Sequence, residues 1–259
     1  AFLMSFYEDY NMISGEYSRI GLGNYKDLFG DKDFTKALRN TSIYVVFVVP
    51  CSIALSLLIA VLLNSNIKFR GLFQTIFFLP YVTSVIAIGL VWSWIFNSNY
   101  GLLNYILSWF GIAKVQWLNK PKYALPSLII FSVWKSMAFD ILIFLAGLQT
   151  IPKDLYNAAR VDSTPRWRVF WKITVPGIAP MISYAFIMGF ISAFKVYNEV
   201  FSLWSGKAGP ANSAITVVYY IYDKFYNSHN YGLASAAAVI LFLIILVLTV
   251  VQRMMGKKK

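Results

Sequence analysis

Four ionisable side chains lie inside long apolar runs: Lys135 and Asp140 in one, Lys195 and Glu199 in another. A charge in hydrocarbon is expensive, so such residues face a partner or a polar cavity. Lys195 and Glu199 are four apart, a spacing that predicts a pair on one helix face. Lys135 and Asp140 are five apart, a poorer match within a helix, which predicts pairing between helices. Around the first pair, Ser132, Lys135, Ser136 and Phe139 recur at steps of three, four or seven, with Asp140 on the edge of the same sector. Hydroxyls, charges and an aromatic ring on one face could line a path for a polar solute. The other reading is that the charges form internal ion pairs that pin a helix bundle. Spacing leaves both open.

Those runs belong to a chain that composition assigns to a membrane. Of its 259 residues 58% are apolar and only 13% charged, which excludes an ordinary soluble domain. Spanning helices are predicted at 43–63, 72–96, 124–147, 177–204 and 233–251, each long enough for the roughly 30 Å hydrocarbon core. Residues 1–7 are apolar but too few to span and read as the last turns of a truncated first span. The segment 102–110 has the periodicity of a short helix along the interface. The fold class is therefore all-α: a polytopic transmembrane bundle of five complete spans plus that remnant, forming one domain over 1–259.

Other chemistries are poorly supplied. His229 is the single histidine and Cys51 the single cysteine, so neither a His-based site nor a thiolate metal cluster can be built. No glycine-rich loop ends in Gly-Lys-Ser/Thr, so this chain is expected to bind no cofactor and to hydrolyse no ATP. The net charge of +12 forms no single face, which argues against nucleic acid. Its distribution instead sets topology. Segments 64–71, 149–176 and 253–259 hold eleven cations in 43 residues, whereas 8–40, 97–123 and 205–230 hold ten cations in 86 residues beside seven acids. The denser side, with the C-terminus, is expected to be cytoplasmic.

The longest cationic interruption, 148–176, is too structured for a linker. Pro152 suits a first helical turn, and Leu155, Ala158, Ala159 and Val161 supply a partly apolar face. Asp162, Ser163 and Thr164 read as a stop and a cap. Pro165 reads as the first residue of a second helix carrying Trp167, Phe170 and Trp171. An amphipathic hairpin in the lipid headgroups and a docking surface for a soluble partner both fit this pattern.

Leu148, Gln149, Ile151, Pro152, Leu155, Tyr156, Asn157, Ala158, Ala159, Asp162, Ser163, Trp167, Phe170, Ile173 and Pro176 together resemble the EAA loop of ABC-importer permeases, in particular the maltose-type carbohydrate permeases. Gly21-Leu22-Gly23-Asn24-Tyr25 and Gly209-Pro210 are similar to two further elements of that family. The chain departs from the family pattern at Asn157, where the family has Glu, and at Ser163, where it has Gly. The resemblance implies the type I importer permease fold in a prokaryotic cytoplasmic membrane. It also implies the partners: a second homologous permease, two ATPase subunits that bind ATP and Mg, an extracytoplasmic solute-binding protein, and membrane lipid. Tyr156, Asn157, Ala158, Ala159, Arg160, Asp162, Ser163, Trp167 and Phe170 would couple to the ATPase. Ser132, Lys135, Ser136, Phe139, Asp140, Lys195, Tyr197, Asn198 and Glu199 would line the substrate path, with a sugar as substrate. Phe139, Tyr197 and Trp134 are the aromatic rings available to pack on a pyranose. A charged solute such as a glycerol phosphate or acidic sugar is the alternative. An ion-coupled secondary transporter using Asp140 and Glu199 would leave the hairpin unexplained.

Overall fold

The structure is a computed structural model that describes residues 1–12, 14–65 and 68–256; Lys257, Lys258 and Lys259, which contribute to the charge asymmetry, lie outside the described residues. Apart from one two-residue strand pair, Tyr7–Glu8 with Arg19–Ile20, its regular elements are helical. Among the described residues, three helices are long and apolar enough to cross a membrane: α2 (Lys32–Asn64), α6 (Pro121–Thr150) and α12 (Tyr231–Gly256). Two bent helix pairs bring the possible spans to five. The first pair is α3 (Arg70–Val82) and α4 (Val85–Ile95); the second is α8 (Arg166–Gly177) and α9 (Ala179–Phe194). Shorter helices are α1 (Gly23–Gly30), α5 (Leu102–Trp109), α7 (Lys153–Val161), α10 (Asn198–Leu203) and α11 (Val217–Tyr222).

The differences from the predicted spans have local causes. α2 begins eleven residues before the apolar run, because Phe34, Ala37, Thr41 and Tyr44 already form a buried helical face amid charged neighbours. A hydropathy window averages that face away. The span predicted over 72–96 is two helices, since Thr83 and Ser84 adopt extended backbone between them. The span predicted over 177–204 also breaks. α9 stops at Phe194, and α10 starts only at Asn198. In the gap, the Val196 carbonyl accepts a hydrogen bond from the Thr216 hydroxyl at 2.9 Å instead of a helical N–H. Lys195 and Glu199 therefore do not share one helix face, which corrects the expectation from their spacing. Residues 1–7 form a 3₁₀ turn, Leu3–Phe6, and enter the strand pair. The Asn24 side chain donates to the carbonyls of Ser5 and Tyr7 at 3.1 and 2.9 Å, taking those groups out of any helical ladder.

The described residues group into two compact units. The first comprises 1–47, 84–131 and the chain from 191 onward. One part of it is a polar lock. Asp31 caps α2, accepting the Asp33 amide at 2.8 Å, and its second oxygen takes the Tyr220 hydroxyl at 2.8 Å and Lys224 at 3.1 Å. Asn40 donates to the carbonyls of Ser213 and Ile215, both at 3.0 Å, and Thr41 accepts from the Val217 amide. The loop 204–216 is thus pinned to α2, with Gly209 at φ +76°, a conformation that glycine adopts without strain. In the same unit α4 and α10 meet closely: a Cβ on Gly89 would collide with the Ser202 side chain.

Partial burial of Asp31 works against its ionisation. The Tyr220 hydroxyl, the Asp33 amide and Lys224 outweigh that effect and hold its carboxyl below the ordinary value of 3.8. A depressed carboxylate stabilises the fold above its unfolded-state pKa and loses that contribution as pH falls through the folded value. Acidification below about pH 4 is therefore expected to loosen the α11 region, read as faster amide exchange over 217–222. Asp31→Asn should cost about 1–2 kcal/mol at neutral pH and flatten this acid dependence.

The second unit comprises 48–83 and 132–190. Its seam is built on Ser52, Ser56 and Ala60, small buried residues four apart that let α2 approach α6 closely. The Ser56 hydroxyl donates to the Met137 carbonyl at 3.3 Å, and Ile141, Phe144, Leu145 and Leu148 of α6 fill the core beside Leu57 and Leu63. α9 closes the other side, where a Cβ on Gly147 would stand 2.9 Å from Met181. α8 and α9 meet at a 68° bend around the fully buried Ile178. Pro180 explains the bend, because it has no N–H for the Pro176 carbonyl and its ring crowds that oxygen.

Candidate functional site

The hairpin is held closed by its own chemistry. α6 ends at Thr150, and Pro152 caps α7 from outside the helix. At the far end the Thr164 amide bonds the Ala159 carbonyl at 2.9 Å and the Ser163 amide bonds the Arg160 carbonyl at 3.1 Å. This double bond pattern is a Schellman stop, and its left-handed position is Ser163 at φ +51°. Serine is strained there where glycine would not be. Ser163→Gly is expected to raise stability by about 0.5–1 kcal/mol, measured as a higher unfolding midpoint. Pro165 then caps α8, one residue outside the helix it was expected to begin.

Across the turn, the Tyr156 hydroxyl and the Thr174 hydroxyl hydrogen-bond at 3.1 Å. Tyr156, Phe170, Ile173 and Val175 pack on the core beneath, and Ala159 is buried. Of the residues assigned to coupling, Ala159 is buried and Tyr156 and Phe170 are half-buried. Asn157, Ala158, Arg160, Asp162, Ser163 and Trp167 are exposed. The Arg160 guanidinium donates to the Asn157 side chain at 2.9 Å, a bond that does not need the charge of a glutamate. Leu155, Val161, Trp167 and Trp171 leave a large apolar surface uncovered, Val161 at 85% and Trp167 at 64% exposure. The Arg168 guanidinium lies 5.6 Å from the Trp167 ring centre. An exposed apolar tip rimmed by cations is the kind of surface found at protein–protein or membrane contacts.

The polar face of α6 lies in the second unit. Ser132 is buried, and its hydroxyl has no hydrogen-bond partner among the described residues. Lys135, Ser136 and Phe139 are half-buried on the same sector. Phe139 stacks on Tyr81 of α3, with ring centres 5.2 Å apart and planes 20° apart. Tyr81, itself more than half exposed and flanked by Phe78, is a member of this face that helical spacing could not supply, because it comes from another helix. Asp140 on the edge of this sector is buried, as Ser132 is, and lies beside Ser52 of α2, whose hydroxyl donates to the Val49 carbonyl at 3.0 Å.

Lys195, Tyr197, Asn198 and Glu199 lie in the first unit at the break between α9 and α10. Lys195 and Asn198 are exposed, while Tyr197 and Glu199 are half-buried. Tyr197 joins an aromatic group with Phe201, Tyr219 and Tyr222, at ring-centre distances of 5.6, 6.1 and 5.0 Å.

A family model described as the binding-protein-dependent transport system inner membrane component matches residues 52–259. An arabinooligosaccharides transport system permease protein from Halalkalibacterium halodurans is 35% identical over 254 residues, covering 97% of this chain and 79% of that protein. A trehalose/maltose transport system permease protein from Thermococcus litoralis is 33% identical over 256 residues, 99% of this chain and 85% of that one. Among solved structures, a bacterial alginate ABC transporter in complex with its oligosaccharide-bound periplasmic protein superposes with a TM-score of 0.84 at 26% identity, over 92% of this chain and 83% of that one. With its helical architecture and its structured hairpin, the chain belongs to the family of binding-protein-dependent transport system inner membrane components.

Proposed function

We propose that this chain is the permease subunit of an ATP-driven importer for a sugar or oligosaccharide, forming half of the translocation path beside a second, homologous permease. The observation that carries the reading is the 148–176 hairpin: braced by the Tyr156–Thr174 bond and the Schellman stop, it offers Val161, Trp167 and Trp171 outward. Such a stiff element can seat in a groove of an ATPase and transmit its closure to α6 and α8, to which it is joined at either end. Coupling then follows from docking that differs between two ATPase states. ATP and Mg would sit on the partner subunits, two in number, and an extracytoplasmic solute-binding protein would deliver the solute. The charge distribution supports a cytoplasmic hairpin and a cytoplasmic C-terminus.

The Phe139–Tyr81 pair with Ser132 and Ser136 supports a carbohydrate path, since aromatic faces pack on pyranose rings and hydroxyls exchange hydrogen bonds with sugar hydroxyls. The relatives named for arabinooligosaccharides and for trehalose/maltose lead in the same direction. The test is uptake into vesicles holding this chain, its partner permease, the ATPases and the binding protein. Labelled neutral oligosaccharide should accumulate only with ATP inside the compartment that the hairpin faces. Accumulation driven by an ion gradient without ATP would overturn the reading. Preference for a uronate oligosaccharide would move the substrate to the charged class, to which the alginate of the structural neighbour belongs.

A further inference from the structure

On the side of α2 away from its junction with α3, the first unit holds a groove of 790 Å³. It is formed by the end of α1, the first turns of α2 and α6, and the turn at Ala211–Ser213. Lys32, Lys36, Arg39 and Lys122 line it together, and no acidic residue does. Asp31 is engaged by Tyr220 and Lys224, and Asp33, in the first turn of α2, is not among the lining residues. These four are drawn from the ten cations carried by the three segments on this side of the chain, so they are concentrated rather than scattered. The rest of the lining is chiefly apolar, with Phe29, Ile43, Leu125 and Pro126. Further along the same two helices, Val46, Phe47 and Ile130 are exposed in the way of lipid-facing residues.

Cations above an apolar floor, at the point where two spanning helices enter hydrocarbon, match one chemistry: a phosphodiester monoanion attached to acyl chains. We propose that this groove binds the headgroup of an anionic phospholipid such as phosphatidylglycerol. Arg39 can meet two phosphate oxygens at once, while Lys32, Lys36 and Lys122 act as point charges. The amino-terminal ends of α2 and α6 add favourable dipoles. Lys36 also donates to the Ala211 carbonyl at 2.7 Å, so a headgroup at Lys36 would touch the loop that Asn40 and Thr41 pin. The inference rests on membership of the membrane family and not on the identity of the transported solute, so either can fail without the other.

The experiment uses the assembled transporter in phosphatidylcholine membranes doped with spin-labelled phosphatidylglycerol. The intact assembly should show an immobilised lipid population that a combined Lys36→Gln, Arg39→Gln and Lys122→Gln variant reduces about tenfold or more. Glutamine at 36 keeps a donor for Ala211. A control with Lys26→Gln, Lys114→Gln and Lys207→Gln removes equal charge from the same side outside the groove and should keep the population. Equal immobilisation in both variants, or equal loss in both, would overturn the proposal. So would full displacement by soluble glycerophosphoglycerol, which would make this a site for a free anion. A groove variant that keeps its lipid but loses affinity for the solute-binding protein would assign the surface to a protein partner and overturn the lipid.

Discussion

Aspartate at Trp167 is expected to abolish solute-stimulated ATP hydrolysis and uptake by the assembled transporter, while the chain still inserts and pairs with its partner permease. Trp167 is 64% exposed at the tip of the hairpin, so its replacement leaves the core of the second unit intact. Large aromatic anchors at the centre of an interface contribute about 2–4 kcal/mol each, which corresponds to roughly a 30- to 1000-fold loss of affinity. A carboxylate in an apolar groove adds a desolvation penalty. Val161, at 85% exposure, should behave similarly but more weakly, because it buries less area. Co-purification of the ATPase with Trp167→Asp, measured beside basal and solute-stimulated hydrolysis, checks the effect. Ala159→Asp would be a poorer test. Its site is buried, so the loss could come from an opened hairpin.

Phe139→Ala should lower the transport efficiency for a neutral oligosaccharide by about 10- to 100-fold with little effect on ATPase docking. The residue is half-buried and stacked on Tyr81, so alanine removes an aromatic platform from the face that carries Ser132 and Ser136. Aromatic stacking contributes about 0.5–1.5 kcal/mol beyond the area buried, and the lost area accounts for the rest. Tyr81→Phe keeps the ring and should retain most of the activity, whereas Tyr81→Ala should approach the Phe139→Ala defect. Initial uptake rates over a series of solute concentrations separate these cases. A defect confined to the plateau with unchanged half-saturation would point to coupling and not to solute contact.

The hairpin was the most legible part of the sequence because it is local. Its proline caps, the left-handed residue at 163 and the apolar positions are all set by neighbours within a few residues. Spans were legible by apolar length, but their interruptions were not. The break after Phe194 depends on Thr216 capturing the Val196 carbonyl from twenty residues away, and no run of hydropathy encodes that. The same limit explains Lys195 and Glu199, whose spacing of four is a helical signal only if the helix continues. Asp140 was legible as a charge within a span, but its place beside Ser52 of α2 is set by helix pairing. Tyr81 was missed for the same reason, since the stack with Phe139 joins residues 58 positions apart. Within the hairpin, the type of residue did not reveal that one helical step separates the exposed Ala158 from the buried Ala159.

That step also fixes the most direct measurement. Cysteines placed singly at Ala158 and Val161, both exposed, in a Cys51→Ser background that removes the one native thiol, report what covers the hairpin tip. Cross-linking to cysteines on the ATPase would be followed with and without ATP in the assembled transporter. The account predicts efficient cross-links at both positions, with yields that change between the nucleotide-free and ATP-bound states. Labelling of both positions by lipid-phase reagents alone, with no ATPase adduct in either state, would contradict it and make the hairpin a membrane-surface anchor.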